Sequence, residues 1–111
     1  MDSTLANEPH EERRYELQAI LEGILGSEEV YFQPPANVNM VYPAIVYHRD
    51  YAATQFADNS PYTRTQRYMV TCIDKNPDSV IPIKVAALPL STFSRFFTKD
   101  NLNHDIYTLY Y

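Results

Sequence analysis

The stretch YTRTQRYMVTCID, Tyr62–Asp74, decides how this chain folds. Tyr68, Val70 and Cys72 fall on one side of an extended backbone, while Thr63, Thr65, Arg67 and Thr71 fall mostly on the other. Alternation at period two predicts a strand with one face turned to a core, the longest strand of the chain and the centre of its sheet.

Working outward toward the front of the chain, AATQFADNSP lies between Tyr51 and Tyr62. It is small and polar except for Phe56, and ADNSP is dense in turn formers, which predicts an exposed hairpin loop. Before that loop, YPAIVYHRDY (Tyr42–Tyr51) opens with Pro43, and VYFQ (Val30–Gln33) is stopped by Pro34 and Pro35. Both are β-prone runs bounded by proline and read as strands. Further forward, Leu17, Ile20, Leu21, Ile24 and Leu25 recur at helical spacing. Pro9 suits a first helical position and Gly26 a left-handed residue after the last, so one amphipathic helix is predicted over residues 9–25.

On the other side of the central strand, NPDS supplies a turn and a cap, Asp78 or Ser79, for a short helix through Ile81, Val85 and Leu88. Pro82 is tolerable in its first turn and Pro89 stops it. STFSRFFT and HDIYTLYY then form a hairpin joined by KDNLN, whose Asp and Asn tolerate tight-turn geometry; the pair His104-Asp105 is assigned to the turn that feeds the last strand. The order α-β-β-β-α-β-β predicts an α+β domain in which a mainly antiparallel sheet carries both helices on one face. A single domain spans residues 1–111, with 1–8 free to be flexible.

The 111 residues suffice for one modest core. Hydrophobic residues make up 45% and charged residues 21%, and no apolar run approaches the length of a membrane span, so a folded, soluble chain is expected. The polar, acidic front MDSTLANEPHEERR has no apolar leader core, which predicts synthesis in a cytoplasm. Cys72 is the single cysteine and cannot pair within the chain; its place in the alternation predicts a buried thiol. The charge is uneven. Residues 1–29 hold eight carboxylates against Arg13 and Arg14, whereas residues 30–111 hold seven cations and six anions. That balance lacks a basic footprint for phosphates and argues against specific nucleic-acid binding. Two glycines in the whole chain leave no glycine-rich loop to cradle a nucleotide.

Catalytic chemistry finds little support. His10, His48 and His104 are not spaced as a metal pair, and one cysteine excludes cysteine-rich zinc sites. His48, Asp50, His104 and Asp105 are the residues of a small-hydrolase alternative, which requires the two His/Asp groups to meet across the sheet. Adjacent strand residues point to opposite faces, so neither group brings its own members side by side. HRD at 48–50 lacks the downstream context of a kinase motif. No catalytic residue, metal or cofactor is assigned.

The excess is aromatic: ten Tyr and five Phe. Neighbouring pairs such as Phe96-Phe97 and Tyr110-Tyr111 place aromatics on both faces of a sheet, and one small core cannot bury both. Part of that surface is expected to be covered by another copy or a partner.

VYFQPP, YPAIVY, the ADNSPY loop with its following strand, and NLNHDIYTLYY together resemble the small tail-terminator or tail-completion proteins of long-tailed, siphovirus-like bacteriophages, over about residues 15–111. The resemblance implies an α+β structural subunit, not an enzyme, that assembles with itself into a ring, usually a hexamer. Such a ring caps the growing tail tube, ends its polymerisation and offers a surface to the head-tail connector or stopper. It implies the tail tube protein and the connector as partners, DNA passing through without specific binding, no membrane, assembly in the host cytoplasm and a final place in the neck of the virion. Carried over as regions, the candidate interface residues are Tyr51, Phe56, Asp58, Tyr62, Arg64, Arg67, Tyr107, Tyr110 and Tyr111. The acidic first helix is a candidate lining for the channel or rim. A head-completion or connector adaptor of similar size is the nearest alternative.

Overall fold

The computed structural model describes residues 9–52 and 66–111. Helix α1 runs Pro9–Leu25, followed by strands β1 (Val30–Phe32), β2 (Ala44–Ala52) and β3 (Gln66–Asp74), helix α2 (Ile81–Ala86), and strands β4 (Ser91–Lys99) and β5 (Leu102–Tyr110). The boundaries of α1 follow from its ends. Pro9 opens the helix, and Gly26 closes it in the left-handed region at φ 82°, its N–H donating to the Glu22 carbonyl at 2.8 Å.

Among the described residues the strands form one sheet in the order β1-β2-β3-β5-β4. β1 pairs parallel with β2, and every other pair is antiparallel. β3 therefore holds the centre, as its alternation predicts. Its described part, like β2, β4 and β5, has nine residues, and the predicted start over Tyr62–Thr65 lies outside the described residues. Its distinction is burial: Tyr68, Val70 and Cys72 are all in the core.

The two helices lie on the same face of the sheet, α1 over β1 and β2, and α2 over β4 and β5. Leu17 and Leu21 of α1 and Val85 of α2 meet Val30, Ile45, Tyr47, Tyr68, Val70, Cys72, Tyr107 and Leu109. Leu17 and Leu21 are completely buried, each worth about 2 kcal/mol in apolar surface removed from water. Tyr47 is buried too, and its hydroxyl donates to Gln18 Oε1 at 2.6 Å. Gln18 Nε2 in turn donates to the Val30 carbonyl at 3.1 Å and to Glu22 at 3.0 Å, so one side chain ties α1 to β1 and β2.

Three expectations need correction. The turn of the terminal hairpin is Asp100-Asn101, with φ values of 55° and 62°; His104-Asp105 lies beyond it, inside β5. Asp and Asn tolerate the left-handed region that a two-residue hairpin turn demands, so they outcompete His-Asp for the turn. Neither Asp78 nor Ser79 is the N-cap of α2. Val80 occupies that position without a side-chain cap, although Ser79 Oγ accepts the Ile81 N–H at 3.2 Å. α2 also ends at Ala86, short of Pro89, because proline disfavours helical geometry in the residue before it and the last turn unwinds ahead of it.

Tyr111, just past β5, is held by α1. Arg13 Nε donates to its carbonyl at 2.8 Å, the guanidinium lies 4.2 Å from its ring centre, and its hydroxyl donates to Glu16 at 3.0 Å.

Candidate interaction surface

Strand register assigns each side chain to a face. Tyr107 pairs with Phe93 of β4 and Asp105 with Phe96, so these two phenylalanines lie on the helix-bearing side. A bulge between Phe93 and Arg95 shifts the alternation. Arg95, Phe97 and Lys99 then fall on the opposite side, opposite Ile106, His104 and Leu102. Phe96-Phe97 thus places aromatics on both faces, as expected. Phe93 leans edge-on against Tyr107 at 5.6 Å, and Phe97 stacks on His104 at 4.4 Å. Neither is covered further, since β4 is exposed from Thr92 to Lys99.

The outer side of α2 continues this exposed ground. A six-residue helix buries one face, and Val85 takes it, leaving Val80 and Ile83 in solvent. Of the eight large apolar side chains that stand exposed among the described residues, six lie between residues 80 and 97: Val80, Ile83, Leu90, Phe93, Phe96 and Phe97. Ile83 is 68% and Leu90 65% exposed. Leu90 also holds a positive φ of 62°, turning the chain from α2 into the edge strand. Residues 80–99 contain Lys84, Arg95 and Lys99 and no carboxylate.

The residues assigned to an interface from the sequence are scattered differently. Phe56, Asp58, Tyr62 and Arg64 lie outside the described residues, as does the loop that carries them. Tyr51 belongs to β2, where its backbone pairs with Arg67. Arg67 forms an ion pair with Asp50 at 2.9 Å, and hydrogen bonding to Tyr110, above all, raises its pKa. Tyr110 is half-buried on the face away from the helices. Tyr107 sits in the core at 5% exposure, and Tyr111 is engaged by α1. The α2–β4 patch was not singled out from the sequence. The signal was present in VIPIKVAALPL, which is apolar on all sides of a helix too short to bury them.

The groups named for a hydrolase do not converge. His48 lies opposite Met69 and Thr108 along the strands, whereas His104 lies opposite Ile73 and Ala44. Four residues along β2 and two strands across, this separates them by about 16 Å at strand spacings of about 3.3 and 4.8 Å. His104 Nδ1 lies 3.1 Å from its neighbour Leu102's carbonyl. Asp105 points to the other face beside Cys72; desolvation raises its pKa, with His104 acting against that. The Cys72 thiol is pushed up to about 12, first by burial and then by the Asp105 charge, which makes it a poor nucleophile. Among the described residues no cluster of His, Cys, Asp and Glu has the arrangement of a metal site, and no helix is long and apolar enough to cross a membrane.

Comparison with protein-family models, with curated proteins and with solved structures finds no match.

Proposed function

We propose that the protein is a structural subunit of a long-tailed bacteriophage, a tail terminator whose copies join head to tail into a closed ring, a hexamer by the habit of the family it resembles. The ring sits on the end of the tail tube, stops further addition of tube subunits and presents its other face to the head-tail connector. The observation that carries this reading is the apolar ground on α2 and β4, six large side chains held in solvent on one short segment of a small domain. Phe93 and Phe96 share the helix-bearing side with α2 and Phe97 lies on the other, and apolar surface gathered in this way at a sheet edge marks a contact site. A heterologous contact that closes covers the patch on every copy and leaves two unlike ring faces, one for the tube and one for the connector.

The sequence resemblance supplies the identity of the assembly, and the α+β architecture is compatible with it. DNA passes through such a ring without specific contacts; the acidic balance of residues 1–29 disfavours sticking to phosphate. The subunit assembles in the host cytoplasm and ends in the neck of the virion.

Purified protein mixed separately with tail tubes and with capsids, then imaged, tests the reading. Added density at one end of the tubes is expected. Density on capsid connectors alone would replace the terminator by a neck adaptor.

A further inference from the structure

The two ends of the sheet carry opposite chemistry. At the β4 end, residues 80–99 carry six exposed apolar side chains, with Lys84 on α2 and, on the side of the sheet away from the helices, Arg95 and Lys99; three cations stand there against Asp100 in the turn and Asp105 opposite Phe96. At the β1 end, the outward side of α1 and the turn after it present Glu12, Glu16 and Glu28. Arg14 of that helix lies over the Phe32 ring at 4.3 Å, while Arg13 stays exposed and ion-pairs with Glu16 at 3.8 Å, which leaves Glu12 and Glu28 to carry the acidic character of this side. The sheet edges differ as well. The Val30 carbonyl of β1 is occupied by Gln18, whereas β4 offers a nine-residue outer edge to which neither helix lends a hydrogen-bonding side chain among the described residues.

We infer that the apolar, basic ridge of α2 and β4 docks on the acidic outer side of α1 of a second copy of this chain. Charge complementarity selects the partner surface. Symmetric pairing of two β4 edges, antiparallel and in full register, sets the central Arg95 opposite its own copy and is repelled. The acidic side of α1 attracts the same ridge instead. Because α1 lies over β1 and β2 while the ridge lies at β4, one copy gives and receives the contact at once. The C-terminal half of α1 is smooth on its outer side: Ala19 and Gly23 are exposed, and a Cβ added at Gly23 meets nothing within 4 Å. Its own chain makes no steric demand for glycine there, while close approach by a neighbour does. This contact rests on the ring reading above and names the surfaces that would build it.

A charge swap tests it by sedimentation and native mass spectrometry of the purified chain at low salt. Arg95→Glu/Lys99→Glu places acid against acid, and Glu12→Lys/Glu28→Lys places base against base; each pair is expected to weaken self-association at least about tenfold. Mixed one to one, the two variants present complementary surfaces at every junction and should assemble to within about threefold of the unchanged chain. Ile83→Ser, a neutral change at an exposed site, should weaken assembly at high salt too. Circular dichroism verifies that each variant is folded. Assembly unaffected by either charge pair, a mixture that stays apart, or an unchanged chain still monomeric at about 1 mM overturns the contact. The outcomes separate it from the terminator reading. Density on tube ends that survives the charge variants sinks the contact alone, whereas swap-dependent rings that ignore tail tubes sink the terminator alone.

Discussion

Gly23 and Gly26 stand three residues apart at the end of α1, and alanine at the two sites should shift stability in opposite directions. Gly23 has helical backbone geometry on an exposed face, and the new Cβ meets no atom within 4 Å. Replacing it removes backbone freedom from the unfolded chain without strain, which stabilises an interior helical site by about 0.5–1 kcal/mol. The site is two residues from the helix end, so the lower figure, about 0.5 kcal/mol, applies. Gly26 also has open space around it, but its φ is 82°. An L side chain there costs about 1 kcal/mol or more in the left-handed region, and relaxing φ breaks the Gly26–Glu22 hydrogen bond that closes the helix. The two variants should therefore differ by about 1.5–2 kcal/mol, or about 6–8 °C in melting temperature for a domain of this size. Urea and thermal melts at dilute protein measure the gap. Gly26→Asn should recover part of the loss, since asparagine tolerates this conformation better than alanine. Two shifts of the same sign would refute the reasoning, because backbone conformation alone distinguishes the sites.

Three further outcomes follow from the core. Tyr47→Phe and Gln18→Ala should cost about 1 and 1–2 kcal/mol in chemical denaturation. The double variant should fall short of their sum by about 1 kcal/mol, since the two share one hydrogen bond; full additivity would mean the bond contributes nothing. Burial lifts the Asp105 carboxyl above its ordinary value, so its contribution to stability is fully present in acid, below the unfolded pKa, and is lost as pH rises through the folded pKa. Asp105→Asn should then raise the melting temperature at pH 7, with the gain vanishing below about pH 3; a loss at pH 7 contradicts this. Finally, a thiol reagent at pH 8 should label Cys72 only as fast as the chain unfolds, and rapid labelling of the native protein would show the thiol to be accessible.

The elements that the sequence reveals are those whose signals are local. α1 is bounded by Pro9 and Gly26, each carrying its own stereochemical reason, and the alternation of Tyr68, Val70 and Cys72 marks a strand before any partner is known. Asp100-Asn101 was within the quoted turn, but choosing it over His104-Asp105 required the β4–β5 register, which sequence period alone leaves open by a residue or two. Exposure was the least legible property. The aromatic excess called for uncovered surface, yet which aromatics are uncovered depends on what each strand lies beside. Tyr107 and Phe93 have similar local sequence patterns; an inner strand buries one and an edge strand exposes the other. Gln18 offered no local signal either, because its role depends on Tyr47 and Val30 arriving from two other elements.

The clasp between α1 and Tyr111 bears on the order in which the chain acquires its shape. Arg13 and its acceptor are 98 positions apart, so forming that bond directly closes a loop spanning most of the chain. The length-dependent part of such a closure is about 4 kcal/mol, far above that of the two-residue turn between β4 and β5. The hairpin is therefore the early structure and the clasp the late one, formed after the sheet has brought the two segments near each other. During synthesis, the opening turns of α1 leave the ribosome long before residue 111 and wait for it, so the clasp closes only after the sheet between them has been made.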